Sequence, residues 1–392
     1  MQRILSFRDF SQSSQVFSFK FRIEISGGRG CPLYSWKGEK LEEFQTGILT
    51  PERLKPLQKY LDDEAVTNID YNGTELWIKD TSNRCYRVDD EEVTYEYINS
   101  LIAHIANSKG KRFNYEENVL ETENEELHVR VTAVHDSIAL NGNSLMIRKT
   151  TAKSRFTYDG LVKSGYADMQ TLNLLINCIK SGCNVMIAGV PEAGKSEFGK
   201  YLSLYIPDNE VVVTIEDSAE WFYKKLKPDA ACIALKTNEV FDYTQAIKLC
   251  MRLNPGRILF TEVRGDEVSD LVSLWTTGVP GISTIHAGNY RSIPDRILNL
   301  MPKDANLLQF ENNIFENLDV GVVIRKRKMP DGTAERFIDE VGFFERSCGY
   351  NVCHDYLIKG SAVTDKIPDS IIEKMKSVNI TNPFHLDRRE KR

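Results

Sequence analysis

The sequence predicts an α/β protein in which a parallel sheet, covered by helices on both faces, follows a smaller α+β domain. Three observations carry this. From residue 169 onward, short apolar runs ("NVMIAG", "VVVTIE", "RILFTE", "GISTIH") alternate with stretches of helical periodicity. Residues 50–149 mix strand-like alternation with helical stretches and lack that regular succession. The chain's 392 residues, 41% hydrophobic and 27% charged, are enough for two or three domains with real cores.

Residues 1–49 read as an amino-terminal extension. Within it, "VFSFKFRIEI" sets Phe17, Phe19, Phe21, Ile23 and Ile25 against Ser18, Lys20, Arg22 and Glu24, which is strand alternation, and "SGGRG" then breaks it. Residues 50–149 form the α+β domain. A helical "PERLKPLQKYL" leads to strands "NIDY" and "ELWIKD" on either side of an Asn72-Gly73 turn. An amphipathic helix follows, with Tyr97, Leu101, Ile102 and Ile105 at helical spacing, and "HVRVTAV" and "NSLMIRK" return to alternation. Residues 150–168 read as a linker ending in the start of a helix. The second domain spans 169–345 and closes with a hairpin turning at Asp331-Gly332. Residues 346–392 are a tail with little pattern.

Fifty basic and 56 acidic side chains give a net charge of −6. A surface that wraps nucleic acid usually has the opposite sign, so nucleic acid is disfavoured as the main partner. Eight cysteines without regular spacing read as reduced core residues of a cytosolic protein. Cys348, Cys353 and His354 supply three candidate ligands where structural zinc takes four, so ordinary packing is expected. No apolar run approaches the ~18 residues of a membrane span. The amino terminus "MQRILSFRDF" lacks a signal-peptide core, so any membrane role is expected to come through partners.

The chemistry begins at Gly189-Val190-Pro191-Glu192-Ala193-Gly194-Lys195-Ser196, which fits G-x-x-x-x-G-K-[ST] between an apolar strand and a helix face of Phe198, Leu202 and Tyr205. Strand, loop, helix is the setting this phosphate loop requires. Backbone N–H groups and the helix N-terminus suit phosphates, Lys195 reaches the outer ones, and the Ser196 hydroxyl binds Mg²⁺. Pro191 and Glu192 fall at free positions whose side chains can point outward, and Glu197 completes the nucleotide-binding stretch. A glycine-rich turn with no ligand is the plain alternative.

Three other strands end on reactive side chains: Glu216 and Asp217, then Glu262 and Arg264, then His286. Ligands of open α/β sheets bind outside the carboxyl ends of the strands, where all of these fall. Hydrolysing a γ-phosphate needs Mg²⁺, an oriented water and positive charge on the developing oxyanions. Glu262 is placed to join Ser196 in the Mg²⁺ shell and to orient or activate water. Glu216 and Asp217 can share that task, and His286 can hydrogen-bond the γ-phosphate and report its loss.

The succession "IED", "TEVRG", "STIHAGN" after a phosphate loop resembles the secretion traffic ATPases of type II and type IV secretion, conjugation and pilus assembly. There these are the Asp, Walker B and His boxes. The resemblance covers roughly residues 50–345, lies nearest the conjugation and Tad-type pilus branch, and lacks the tetracysteine insertion of the type II branch. It implies a RecA-like P-loop motor domain and ATP bound between the two domains. It also implies a homo-hexamer at the cytoplasmic membrane face, working with inner-membrane components of a secretion or pilus machine. It further implies that Arg130 and Arg148 reach ATP from the amino-terminal domain. The sequence departs from the family at Thr261, where a Walker B glycine is expected. "CIALKTNEV" offers only Lys236 where arginines are common, and "MRLNPGR" keeps Arg252 and Arg257 around Asn254. Which arginine completes the γ-phosphate shell stays open. The competing readings are a nucleic-acid translocase or helicase on the same core, and an inactive nucleotide-dependent scaffold.

Overall fold

A computed structural model describes residues 51–302, 305–387 and 390; the strand expected at 16–25 lies outside them. The first domain comprises α1 (Pro51–Asp62), β1 (Val66–Tyr71), β2 (Leu76–Asp80), β3 (Cys85–Val88), α2 (Tyr95–Ser108), β4 (Val119–Asn124), β5 (Val129–Val134) and β6 (Ser144–Lys149). Its six strands form one antiparallel sheet in the order β3-β2-β1-β6-β5-β4. Alternation buries one face: Ile69, Ile78, Val131 and Ile147 pack with Ile98, Leu101, Ile102 and Ile105 of α2. Thr94 starts α2 by accepting the Tyr97 N–H at 3.1 Å. The β1–β2 turn needs its glycine, since Gly73 has φ +101° and a Cβ there would lie 2.6 Å from the Asn141 carbonyl oxygen.

The opposite face of this sheet carries a polar row. Lys79 pairs across the sheet with Asn68, Asn68 with Arg148, Arg148 with Arg130, and Arg130 with Glu123. Period-two alternation keeps these five residues on one side, away from the domain's core.

The second domain adds α3 (Tyr158–Lys163), α4 (Met169–Lys180), β7 (Val185–Ala188), α5 (Lys195–Ser203), β8 (Val212–Glu216), α6 (Tyr223–Leu226), β9 (Cys232–Lys236), α7 (Tyr243–Leu253), β10 (Arg257–Phe260), α8 (Val268–Trp275) and β11 (Gly281–Ile285). It continues with α9 (Ile293–Leu298), α10 (Leu307–Asn317), β12 (Val320–Lys328), β13 (Ala334–Ser347), β14 (Tyr350–Ile358), β15 (Ser361–Ala362) and α11 (Asp369–Ser377). The sheet order is β15-β14-β13-β12-β7-β11-β10-β8-β9. Strands β12 through β9 in that order pair in parallel, and β13, β14 and β15 extend the other edge antiparallel. Two cores flank it. Val185 and Ile187 of β7 face α4 and α5, while Met186 and Ala188 face the side of α8 and α9.

The expected strands β7, β8, β10 and β11 are present, as is the hairpin turning at Asp331-Gly332. Strand β9 comes from "CIALK", which carries no inward alternation because it is the outer edge. The tail needs correcting. β13 runs through 345 to Ser347, turns on Cys348 and Gly349, both at positive φ, and returns as β14. Ile371 and Met375 of α11 are buried in the core, and Asn177 donates to the carbonyls of Pro383 and His385. The stretch 150–168 likewise buries Tyr158, Leu161 and Tyr166 in the core. His354 lies 2.9 Å from Glu345, and the described residues contain no cluster of His, Cys, Asp or Glu able to hold a metal.

Candidate active site

The loop after β7 is shaped for close approach to an anion. Gly189 has φ +155°, and a Cβ on it would meet the Ile324 carbonyl oxygen at 2.6 Å. Gly194, at φ +92°, is the N-cap of α5, and no side chain caps that helix. Its first-turn N–H groups therefore find no side-chain acceptor and carry the positive end of the helix dipole. Lys195 is buried, which lowers its pKa against the pull of Glu262. Its ammonium turns back on the Gly189 carbonyl (3.3 Å) and on His286 Nδ1 (3.2 Å).

A chain of polar and charged groups continues from there. His286 Nε2 sits 2.6 Å from Glu262 Oε1. Arg264 donates to Glu262 Oε2 from Nη2 at 2.7 Å and from Nε at 3.0 Å, and to Asp217 Oδ2 at 3.1 Å. Burial works to lower the Arg264 pKa, but Glu262 and Asp217 more than reverse it. Glu262 is thereby held by two partners while it faces the phosphate loop. Thr261 needs no glycine at its position, because its hydroxyl is buried and donates to the Ile215 carbonyl at 3.1 Å.

The loop of the two acids behaves differently from the sequence expectation. Glu216 is buried, and its Oε2 accepts the N–H groups of Glu220 (2.6 Å) and Trp221 (2.8 Å) while Oε1 accepts the Thr214 hydroxyl. Burial raises its pKa. Its oxygens are spent holding the loop 217–222, and neither Glu216 nor Asp217 lines the cleft. Glu220 does. It bonds the Ser196 hydroxyl, and Arg130 Nη2 donates to it at 2.7 Å. Burial pushes the Glu220 carboxyl up, yet Arg130, Ser196 and Arg148 together hold it below its ordinary value.

The cleft, about 460 Å³, lies between the phosphate loop and the polar row of the first domain. That volume suits a small-molecule ligand. Arg130, Arg148 and Lys79 enter it from the first domain, and Arg264 and Arg336 from the second. Arg130 Nε and Glu197 Oε2 are buried there without a hydrogen-bond partner, as polar groups awaiting a ligand would be. Within the loop, Pro191, Glu192, Gly194, Lys195, Ser196 and Glu197 line the cleft. Val190 is exposed instead, Ala193 is buried, and Gly189 offers its carbonyl to Lys195.

Three basic residues flagged in the sequence lie elsewhere. Arg257 is 1% exposed, chelates Glu210 at 2.8 and 2.9 Å and donates to the Ile179 carbonyl. Arg252 is exposed on α7. Lys236 pairs with Glu123 (2.8 Å) and Glu125 (3.3 Å) of the first domain. Glu220 was missed because an acid four residues past a strand end carries no local signal. Its proximity to Ser196 exists only after Glu216 folds the loop back. Arg336 was missed because its hairpin strand looked purely structural.

A family model described as "Type II/IV secretion system protein" matches residues 110–372, more than half of the chain. An uncharacterised protein of Bacillus anthracis is 25% identical over 236 residues, covering 60% of this chain and 53% of that one. The probable conjugal transfer protein TrbB of Sinorhizobium fredii is 30% identical over 191 residues, 47% of this chain and 56% of TrbB. The chain thus spans about half the length of these curated relatives. Among solved structures, the ATPase DotB of Legionella pneumophila superposes with a TM-score of 0.58 at 14% identity, covering 74% of this chain and 80% of DotB, a likeness of fold.

Proposed function

The chain belongs to the type II/IV secretion system protein family, and from that premise we propose that it is an ATP-hydrolysing motor of a type IV secretion, conjugation or Tad-type pilus assembly machine. One observation carries the reading: a phosphate loop and a row of arginines face each other across a single cleft, one from each domain. ATP bound there would have its phosphates on the loop N–H groups and Lys195, with Arg130 and Arg148 closing from the opposite wall. The Ser196 hydroxyl, with Glu220 and Glu262 as acidic neighbours, would hold a Mg²⁺ ion, which would supply charge neutralisation to the phosphates.

Glu262 is the residue we assign to orienting the attacking water and accepting its proton, with Arg264 and His286 fixing the position of its carboxylate. His286, between Lys195 and Glu262, is suited to sense the γ-phosphate. Glu220 replaces Glu216 and Asp217 in direct contact with the site, and those two position the loop and Arg264. Loss of the γ-phosphate weakens the arginine clamp and lets the first domain swing, which converts hydrolysis into movement. The family relationship supports a homo-hexamer working with membrane components at the cytoplasmic face. Among the described residues, no helix is long and apolar enough to cross a membrane.

The test is direct. Wild-type protein should release phosphate from ATP in a Mg²⁺-dependent manner and scatter light as a hexamer, and Lys195→Ala should bind no fluorescent ATP analogue. Wild-type affinity in Lys195→Ala would remove the phosphate-loop assignment. Strong stimulation of turnover by DNA would favour the translocase reading, which the conjugal-transfer and secretion relatives do not favour.

A further inference from the structure

Glu192 is the non-glycine residue of the phosphate loop held at positive φ (+61°), a backbone conformation that disfavours a side chain. It also sets a carboxylate into a loop whose N–H groups suit anions. Two lysines restrain that carboxylate. Lys79 of β2 is 2.5 Å from Oε1, and Lys326 of β12 is 3.5 Å from Oε2. The hydrogen bond from Lys79 is the largest influence holding the carboxyl below its ordinary value. A second tie runs through Arg336, which donates to the Glu192 carbonyl at 3.3 Å and to the Thr81 carbonyl of the first domain at 3.2 Å. Both ties join one loop position to the segment of the first domain around Lys79–Thr81.

The geometry points to Glu192 as a positioning residue that makes the phosphate loop's grip depend on where the first domain sits. Lys326 and Glu192 belong to the same domain and stay together. Lys79 belongs to the other. With the domains closed, Lys79 neutralises the carboxylate and the loop presents its N–H groups without a competing charge. When the first domain swings out, Lys79 leaves with it. The carboxylate, left with the more distant Lys326, then opposes the phosphates of the product and hastens its departure. The inference rests on the cleft being an ATP site and adds to it a route from domain opening to release.

A plain interdomain ion pair would predict the same loss from removing either partner, whereas this arrangement predicts opposite effects. Lys79→Gln should weaken binding of a fluorescent ADP analogue roughly fivefold, the scale of a partly exposed charge pair. Glu192→Gln should bind it as tightly as wild type or tighter, with slower release by stopped flow, and Glu192→Gly, which also relieves the backbone, should match it. The double variant Lys79→Gln/Glu192→Gln should return to the Glu192→Gln affinity. An unchanged affinity in Lys79→Gln overturns the inference, as does a double variant as weak as Lys79→Gln. If Lys79→Gln does not fold, release rates of Glu192→Gln equal to wild type overturn it alone. Failure of wild-type protein to bind ADP or ATP would instead defeat the ATPase reading itself.

Discussion

Arg130 offers the sharpest perturbation of the cleft. Its guanidinium lies 2.7 Å from Glu220, and the two side chains are only 22% and 16% exposed. At about 3 Å and an effective dielectric of ~20, the raw attraction is ~5 kcal/mol. Stripping one partner from a fully buried pair costs ~3–5 kcal/mol, and from an exposed pair at most ~1 kcal/mol. This half-buried pair falls between, at ~2 kcal/mol. Because the pair spans the two domains, Arg130→Ala should shift the closed-to-open ratio roughly 30-fold toward open. A fluorophore pair across the cleft or small-angle scattering would read the change. Glu220→Gln should suppress most of it, since the uncompensated carboxylate is the source of the cost. The pH dependence has a definite sign. The Glu220 carboxyl lies below its ordinary 4.5, so the pair's contribution is full above about pH 4.5 and is lost as pH falls through the folded value. The deficit in Arg130→Ala should therefore be widest near pH 7 and shrink below pH 4.5. Wild-type closure in Arg130→Ala at pH 7, or no relief from Glu220→Gln, would refute the reasoning.

Glu262→Gln should keep ATP affinity and lose most turnover if the carboxylate has the hydrolytic role proposed for it; unchanged phosphate release would move that role to Glu220. Glu216→Ala should lower stability in urea denaturation by ~2–4 kcal/mol by leaving the Glu220 and Trp221 N–H groups without their acceptor. Lost turnover at unchanged stability would instead return Glu216 to a direct role. Asp70 carries a carboxyl raised to about 6, chiefly by burial, with Lys79 opposing and Glu192 reinforcing. A raised acid binds its proton more tightly when folded, so its penalty grows as pH rises from about 3.8 through 6. Asp70→Asn should add ~1–2 kcal/mol of stability at pH 7 and nearly none at pH 3.5, readable by urea denaturation at both values.

Legibility followed the range of the interactions. The four buried parallel strands announced themselves as apolar runs, and the phosphate loop as a contiguous motif. His286 and Glu262 were recoverable as cleft residues because they stand one and two residues past the ends of β11 and β10, where topology aims them at the cleft. Glu216 shared that cue and misled: a strand-end acid can be consumed by the next loop's N–H groups, which no spacing reveals. Glu220, Arg336 and Lys79 reach the cleft only through a folded-back loop, a hairpin strand and a cross-domain approach. Strand β14 was hidden because its half-buried residues at the sheet margin lack the inward alternation that makes β5 plain. Lys236 illustrates the same limit for charge, since only the packed structure shows that Glu123 and Glu125 claim it.

The polar row on the first domain's sheet has a consequence for how the site could be lost or retuned. Lys79, Arg148 and Arg130 share one side because three antiparallel pairings keep step. Slipping any of them by a single residue would turn that strand's cation into the hydrophobic layer and bring a neighbour of different chemistry to the cleft: Ile78 or Asp80, Ile147 or Lys149, Val129 or Val131. Step is maintained at the ends of the strands. There Gly73 has no room for a Cβ against Asn141, and Gly142, at φ +110°, would set one 3.0 Å from the Tyr95 ring. These two glycines touch no ligand-facing group, yet they act as the setting pins of a combination lock. A lesion at either would leave every cleft residue spelled correctly in the gene and still present the phosphate loop with the wrong wall.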